Sequence, residues 1–258
     1  MDEIQIRPEF NLYPDIITFD QKNPTLRSPY SAVDLPFYQT KETLMDVDTF
    51  RSFIKNAESS FRASKEYKLY KSYLIEYLGI NRCQIFGNVT IDDASIELHH
   101  NIINLFDICI LITSHVINTV GYITTFDLIT MLIQEHFQNN VGVVFLSSTA
   151  HQLYHHDEEG YLPPDMTFGK WWELLYKYKY GITYDLANKI VRYIKKYQDN
   201  LPPSVSPQLN EVIIGYANYN EYTNIGPTEI GYLPDMTDYT EYLNDDEKGI
   251  GAYNEYGF

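Results

Sequence analysis

The stretch "IELHH", Ile96 to His100, decides how this chain is read. Apolar and polar residues alternate through it, the period of a strand with one buried face. It ends in two adjacent histidines, which a strand sends to opposite sides. Further on, "LSSTAHQLYHH" (Leu146 to His156) sets His151 and His155 at helical i, i+4 spacing, so both imidazoles leave one helix face at a separation that one metal ion can bridge. Five of the seven histidines fall in these two stretches. A strand end and a helix that close on one ion would organise the fold around them.

Around this centre the composition suits a packed core. The chain has 258 residues, long for one domain and short for two, and 44% are hydrophobic. Two cysteines, Cys83 and Cys109, are too few for a disulfide framework, which fits a reducing compartment. The start "MDEIQIRPEF" has no basic segment followed by an apolar run, so no secretory signal is expected. The most apolar stretch, "LFDICILITSHVINTV", is interrupted by Asp107, His115 and Asn118 and is too polar to span a bilayer. The net charge of −16 alternates in sign along the chain: −5 over residues 1–50, +4 over 51–82, −10 over 83–169, +4 over 170–200 and −9 over 201–258. Two basic helical segments thus flank an acidic centre that contains no Lys or Arg.

The organisation follows from periodicity. Residues 1–47 carry five prolines and little pattern and read as an extended arm. From Asp48, apolar residues recur at three- and four-residue steps to about Leu78, where Gly79 is placed to end the helix. The stretch 82–100 reads as a β-hairpin turning near Asp92 and Asp93, followed by helices over about 102–120 and 124–138 separated by Gly121. "VGVVFL" reads as a buried strand, and the next helix is expected to be capped by Ser148 or Thr149. An amphipathic segment rich in Trp, Tyr and Lys covers about 167–198, and the acidic, tyrosine-rich remainder, 201–258, reads as a second arm. The fold class is α+β, with a core over 48–200.

The segment 82–157 resembles the HNH endonuclease family, in which a β-hairpin and a helix (ββα-metal) clasp one divalent cation. The residues that carry the resemblance are "CQIFG" (83–87) for the family's cysteine knuckle, "IELHH" (96–100) for its strand and "LSSTAHQLYH" (146–155) for its final H-x-x-x-H. The resemblance implies that His99, His151 and His155 ligate the metal, one Mg, Mn, Ni or Zn ion, and that His100 acts as general base on phosphodiester bonds of double-stranded DNA. It also makes 102–138 a helical pair inserted into the motif. Phe86, Ser147 and Ala150 replace three of the four structural-zinc cysteines, leaving Cys83, so packing must take the place of that zinc. Gly142 stands where the family often places Asn. Glu97 and Asp157 are candidates to orient the ligating imidazoles.

Two functions are compatible with this pattern. One is a phage-encoded, metal-dependent endonuclease. The other is a non-catalytic virion or assembly protein that keeps an HNH-like scaffold and binds protein partners through its two arms. Host cytoplasm or the phage particle is the expected location. The retained histidines favour the first reading, whereas the degenerate knuckle, the acidic centre and the long arms favour the second.

Overall fold

The computed structural model describes residues 38–155, 162–201 and 205–223. Its elements, in chain order, begin with β1 (Gln39–Thr40), α1 (Lys41–Leu44), α2 (Val47–Ala63) and α3 (Lys65–Ser72), the last running on into a π-helical turn, Tyr73–Tyr77. Then come β2 (Ile96–His100), α4 (Leu105–Thr119), β3 (Tyr122–Ile123), α5 (Thr125–Phe137), β4 (Val143–Ser147) and α6 (Ser148–His155). α7 (Trp171–Lys177), α8 (Tyr184–Lys196) and α9 (Ser206–Thr223) complete the series, with 3₁₀ turns at Pro164–Met166, Lys179–Gly181 and Gln198–Asn200. The class is α+β, as the sequence pattern implies.

Local signals set the helix ends. Asp46 caps α2, and Ser64 both closes α2 and caps α3 through a hydrogen bond from the Tyr67 amide. Thr124 and Asp127 form a reciprocal capping box on α5, which satisfies two otherwise orphaned backbone donors. Gly79 takes a positive φ of 71° just past the helical end, the left-handed conformation that glycine adopts without strain. α4 and α5 fall where the pattern placed the helical pair, on either side of Gly121.

The sheet differs from the local hairpin expected over 82–100. Within that stretch only an isolated bridge, Arg82 to Thr90, is present. β2 instead pairs antiparallel with β4, in a register that sets Ile96 opposite Ser147 and His100 opposite Val143. The two paired strands are therefore separated in sequence by the whole α4–β3–α5 excursion. The physical reason is burial: every residue of β4 is buried, and a fully buried strand must satisfy its ladder on a partner that also faces the core. Gln84 covers the other edge of β4. Its amide donates to the Phe145 carbonyl at 2.8 Å, and its side-chain oxygen accepts from the Phe145 amide at 2.6 Å.

α2, α4 and α5 pack against one another to form the main core, around Phe53, Ile54, Phe61, Ile108, Leu111, Leu128 and Leu132. Cys109 lies inside it as a small apolar side chain. A second, smaller cluster of Cys83, Val144, Leu146, Ala150 and Leu162 fills the space between the 83–87 loop, β4 and α6. Glu135 on α5 is fully buried, yet it holds Lys177, the Tyr178 hydroxyl and the Asn140 amide, so a paired charge ties α5 to α7. The compositional boundary at 201 falls inside the packed body, because α9 lies along α8 and the 179–181 turn; Leu209 and Ile213 are buried there. Most of the N-terminal arm, and the C-terminal segment from 224 onward, lie outside the described residues.

At Gly181 the 179–181 turn presses directly on α4. A Cβ there would overlap the Leu111 carbonyl oxygen. Gly181→Ala is therefore expected to destabilise the fold by about 1–3 kcal/mol, as overpacking does. Urea unfolding of the two proteins, compared at equal slope, measures this directly.

Candidate functional site

Antiparallel pairing fixes which way each residue of β2 faces. Leu98 and His100 point into the core, whereas Glu97, His99 and the following Asn101 turn toward α6. The doublet at 99–100 is thereby divided, and each histidine meets a histidine from a different helix.

On the α6 side, His99 Nδ1 lies 3.0 Å from His151 Nε2, and His151 Nδ1 lies 2.7 Å from Glu97 Oε2. A carboxylate only accepts, so His151 Nδ1 carries the proton; in neutral rings His151 Nε2 then accepts from His99 Nδ1–H. Glu97, held by this bond from His151 and by one from the Ser148 hydroxyl at 2.6 Å, has its carboxyl below the ordinary range. Glu97, one of the two carboxylates expected to orient an imidazole, holds His151 in this geometry. Asp157, the other candidate, lies outside the described residues.

On the core side, His100 Nε2 lies 2.9 Å from His136 Nε2, and His136 Nδ1 lies 2.6 Å from the Leu132 carbonyl. The carbonyl again assigns the tautomer: His136 is protonated on Nδ1, and His100 donates to it. The pair is walled by Phe61, Tyr67 and Tyr70, with ring centroids 4.7 Å and 5.2 Å from His136 for Phe61 and Tyr70. His100 is only 5% exposed. Burial away from water disfavours the imidazolium in both rings. It pushes His100 well below the usual histidine range and His136 down to about 4, with Arg62 adding like-charge repulsion to each.

The expected three-histidine set is thus assembled in part. His99 and His151 meet; His155 ends α6, and its side chain lies outside what is described. His100, expected as a general base beside them, lies on the opposite side of the strand with its Nε2 engaged in the core. The 3.0 Å between the His99 and His151 ring nitrogens is a hydrogen-bond distance. Among the described residues, no three His, Cys, Asp or Glu side chains gather as a metal-binding group.

Several residues of this site were not singled out from sequence. Asn101 is buried; its Nδ2 donates to the Leu162 carbonyl at 3.1 Å and the Thr167 hydroxyl at 2.7 Å, while its Oδ1 accepts from Tyr154 on α6 at 3.2 Å. The period-two alternation through Glu97 and His99, extended by one step, is the signal that could have found it. Gly142 has a steric reason: a Cβ there would come within 2.9 Å of the Asn101 carbonyl oxygen, so no asparagine fits that position. Ser147, not Ser148 or Thr149, accepts from the Ala150 amide at the helix start, which leaves Ser148 to hold Glu97.

The 83–87 stretch packs against the start of α6. The Phe86 amide donates to Cys83 Sγ at 3.3 Å, and Ala150 packs in the same buried cluster. Burial alone would raise the Cys83 thiol. Hydrogen bonds from the Phe86 and Ser147 amides and the Ser147 hydroxyl outweigh it and hold the thiol below its ordinary value. Positions 83, 86, 147 and 150 thus converge around one sulfur.

The class defined by these observations is an α+β protein in which one strand carries two histidine relays, one toward a helix at the surface and one into the core. A family model described as Bacteriophage G278-like virion protein matches residues 20–222, and the chain belongs to that family. Membership places the protein in a bacteriophage and its particle. Comparisons with curated proteins and with solved structures found no match. No helix among the described residues is long and apolar enough to cross a membrane.

The buried relay has a pH signature. Unfolded histidine titrates near 6.5 and folded His136 near 4, so between those values the unfolded chain binds more protons and stability falls as the pH falls. The loss from His136 approaches ~3 kcal/mol below about pH 4, and it is absent above the unfolded value. Equilibrium unfolding from pH 8 to pH 4 should show this slope, and a His100→Phe, His136→Leu double variant should flatten it.

Proposed function

We propose that this protein is a non-catalytic structural component of the phage particle, built on an HNH-like scaffold and joined to neighbouring proteins through its terminal segments. The observation that carries the reading is the placement of His100. A general base must reach a substrate-bound water, and this imidazole is buried, donates to His136 and is held neutral by its surroundings. Family membership supports the same reading. A stage in the host cytoplasm, before incorporation into the particle, belongs to it.

The HNH-like origin of the scaffold is part of the proposal. The order β2, β4, α6, with α4 and α5 inserted between the strands, follows the strand–strand–helix order of that family. The convergence of Cys83, Phe86, Ser147 and Ala150 also supports it.

His99 and His151, with His155 as a third donor, would hold a divalent ion if one is bound, with Glu97 orienting His151. Such an ion would supply Lewis-acid stabilisation of a phosphodiester oxygen. This pair, brought together from positions 52 residues apart, is the one observation that favours the endonuclease reading and a double-stranded DNA partner.

Quantitative mass spectrometry of purified particles tests the main reading; the chain should be present in multiple fixed copies per virion, and its absence from intact particles would sink it. The enzymatic reading has its own assay. With Mg²⁺, Mn²⁺, Ni²⁺ or Zn²⁺ the purified protein should leave supercoiled plasmid intact, whereas metal-dependent nicking lost in His100→Ala would establish an endonuclease. His151→Ala should keep the fold, because the main core is independent of α6, and should abolish any calorimetric Zn²⁺ signal; unfolding instead would mark the ion as structural.

A further inference from the structure

The outer face of α3 and its π-helical extension takes no part in the relays, and only Tyr73 in it also packs against the core. Lys65, Leu69, Tyr73 and Tyr77 follow one another at four-residue steps, and Lys68 lies beside them. Lys65 and Lys68 are exposed and make no ion pair with another described residue. Of the other nearby cations, Arg62 pairs with Glu58 at 3.0 Å, and burial holds the Lys71 amine below its ordinary pKa. Leu69 is 40% and Tyr77 57% exposed, and Tyr77 stacks on Tyr73 with ring centroids 5.4 Å apart and planes at 20°. Both rings sit on the π-helical turn at 73–77, and such turns recur at functional positions. This face therefore presents two lysines followed by an aromatic ledge; one acidic residue, Glu76, is exposed at its far end.

The chain carries a segment of matching chemistry. Residues 224–258 hold eight acidic side chains and a single lysine, Lys248. Within them, "DMTDYTEYLNDDE" (235–247) places six carboxylates around Tyr239, Tyr242 and Leu243. That segment follows α9, which packs on α8 and the 179–181 turn, whereas α3 packs on α2 and α5. The helix that leads into the segment and the basic face thus pack on different elements of the body, and in a particle of repeated copies a segment of one copy that binds a separate face of the next produces head-to-tail contacts.

We infer that the face of Lys65, Lys68, Leu69, Tyr73 and Tyr77 binds residues 235–247 of a neighbouring copy. Carboxylates of the segment pair with the two lysines, and its tyrosines and leucine cover the exposed Leu69 and Tyr77. The contact rests on the structural reading of the protein and names the partner of one of its arms. Long-range attraction between the acidic segment and the basic face speeds the encounter, so the association is salt-sensitive.

The test uses the full-length chain in sedimentation velocity over a concentration series. Wild type should self-associate at low salt, and about 0.5 M salt should weaken the association at least ~tenfold. Lys65→Glu with Lys68→Glu should weaken it at least ~tenfold at low salt, with an unchanged circular dichroism spectrum. A D245K/D246K/E247K variant should likewise associate poorly alone, and mixing it with the lysine variant should restore complexes, because the acidic segment of one then meets the intact basic face of the other and the two reversed halves also match in charge. A wild-type monomer at all concentrations, a lysine variant that associates like wild type, or a mixture that stays apart would each overturn the inference. None of these results bears on whether the protein is found in purified particles, so the two proposals fail separately.

Discussion

The antiparallel pairing of β2 with β4 is the constraint on which the rest depends. Its register sets His100 opposite Val143 and Ile96 opposite Ser147, and alternation along the strand then allows no freedom. Glu97, His99 and Asn101 must face α6, and Leu98 and His100 must face the packed helices. A slip of one residue would bury the Glu97 carboxylate among apolar side chains and turn Leu98 outward, a change strongly opposed by desolvation. The chain leaves the strand through a tight turn in which the Ile103 amide donates to the Asn101 carbonyl and Ile102 takes a φ of 74°, a rare conformation for a β-branched residue. Burial of Ile102 and Ile103 holds that turn in place and launches α4 across the core.

Each half of the histidine doublet is built alike. A strand histidine donates to a helix histidine, and the helix histidine is anchored through its other nitrogen, by Glu97 in one case and by the Leu132 carbonyl in the other. Their environments differ. The α6 relay is partly exposed and ends in a carboxylate, whereas the core relay is enclosed by aromatic rings and ends in a neutral carbonyl. The same residue type therefore serves as a partly exposed, carboxylate-anchored group on one side and as a neutral, hydrogen-bonded packing element on the other.

Much of this was legible in the sequence, because periodicity reports local structure. The helical pair around Gly121, the buried strand 143–147, the stop at Gly79 and the opposite facing of His99 and His100 all follow from patterns a few residues long. The pairing of His99 with His151 was legible only through motif spacing. Partners distant in sequence and set by packing were not: the replacement of the local hairpin by the β2–β4 ladder, the seating of His136 against His100, and the steric need for Gly142. α9 was hidden for another reason. Its residues are rich in Asn and Tyr with little amphipathic contrast, and its helix is supported by packing on α8 more than by intrinsic propensity.

The central claim is that the doublet is divided between surface and core, and imidazole nitrogen NMR tests it most directly. Long-range ¹H–¹⁵N correlation spectra at pH 5.5 should show His100 and His136 as neutral rings, His136 protonated on Nδ1 and His100 on Nε2, with slow solvent exchange. A His100 ring that is protonated at that pH and exchanges freely with water would contradict the account, and would return this histidine to the position of a general base.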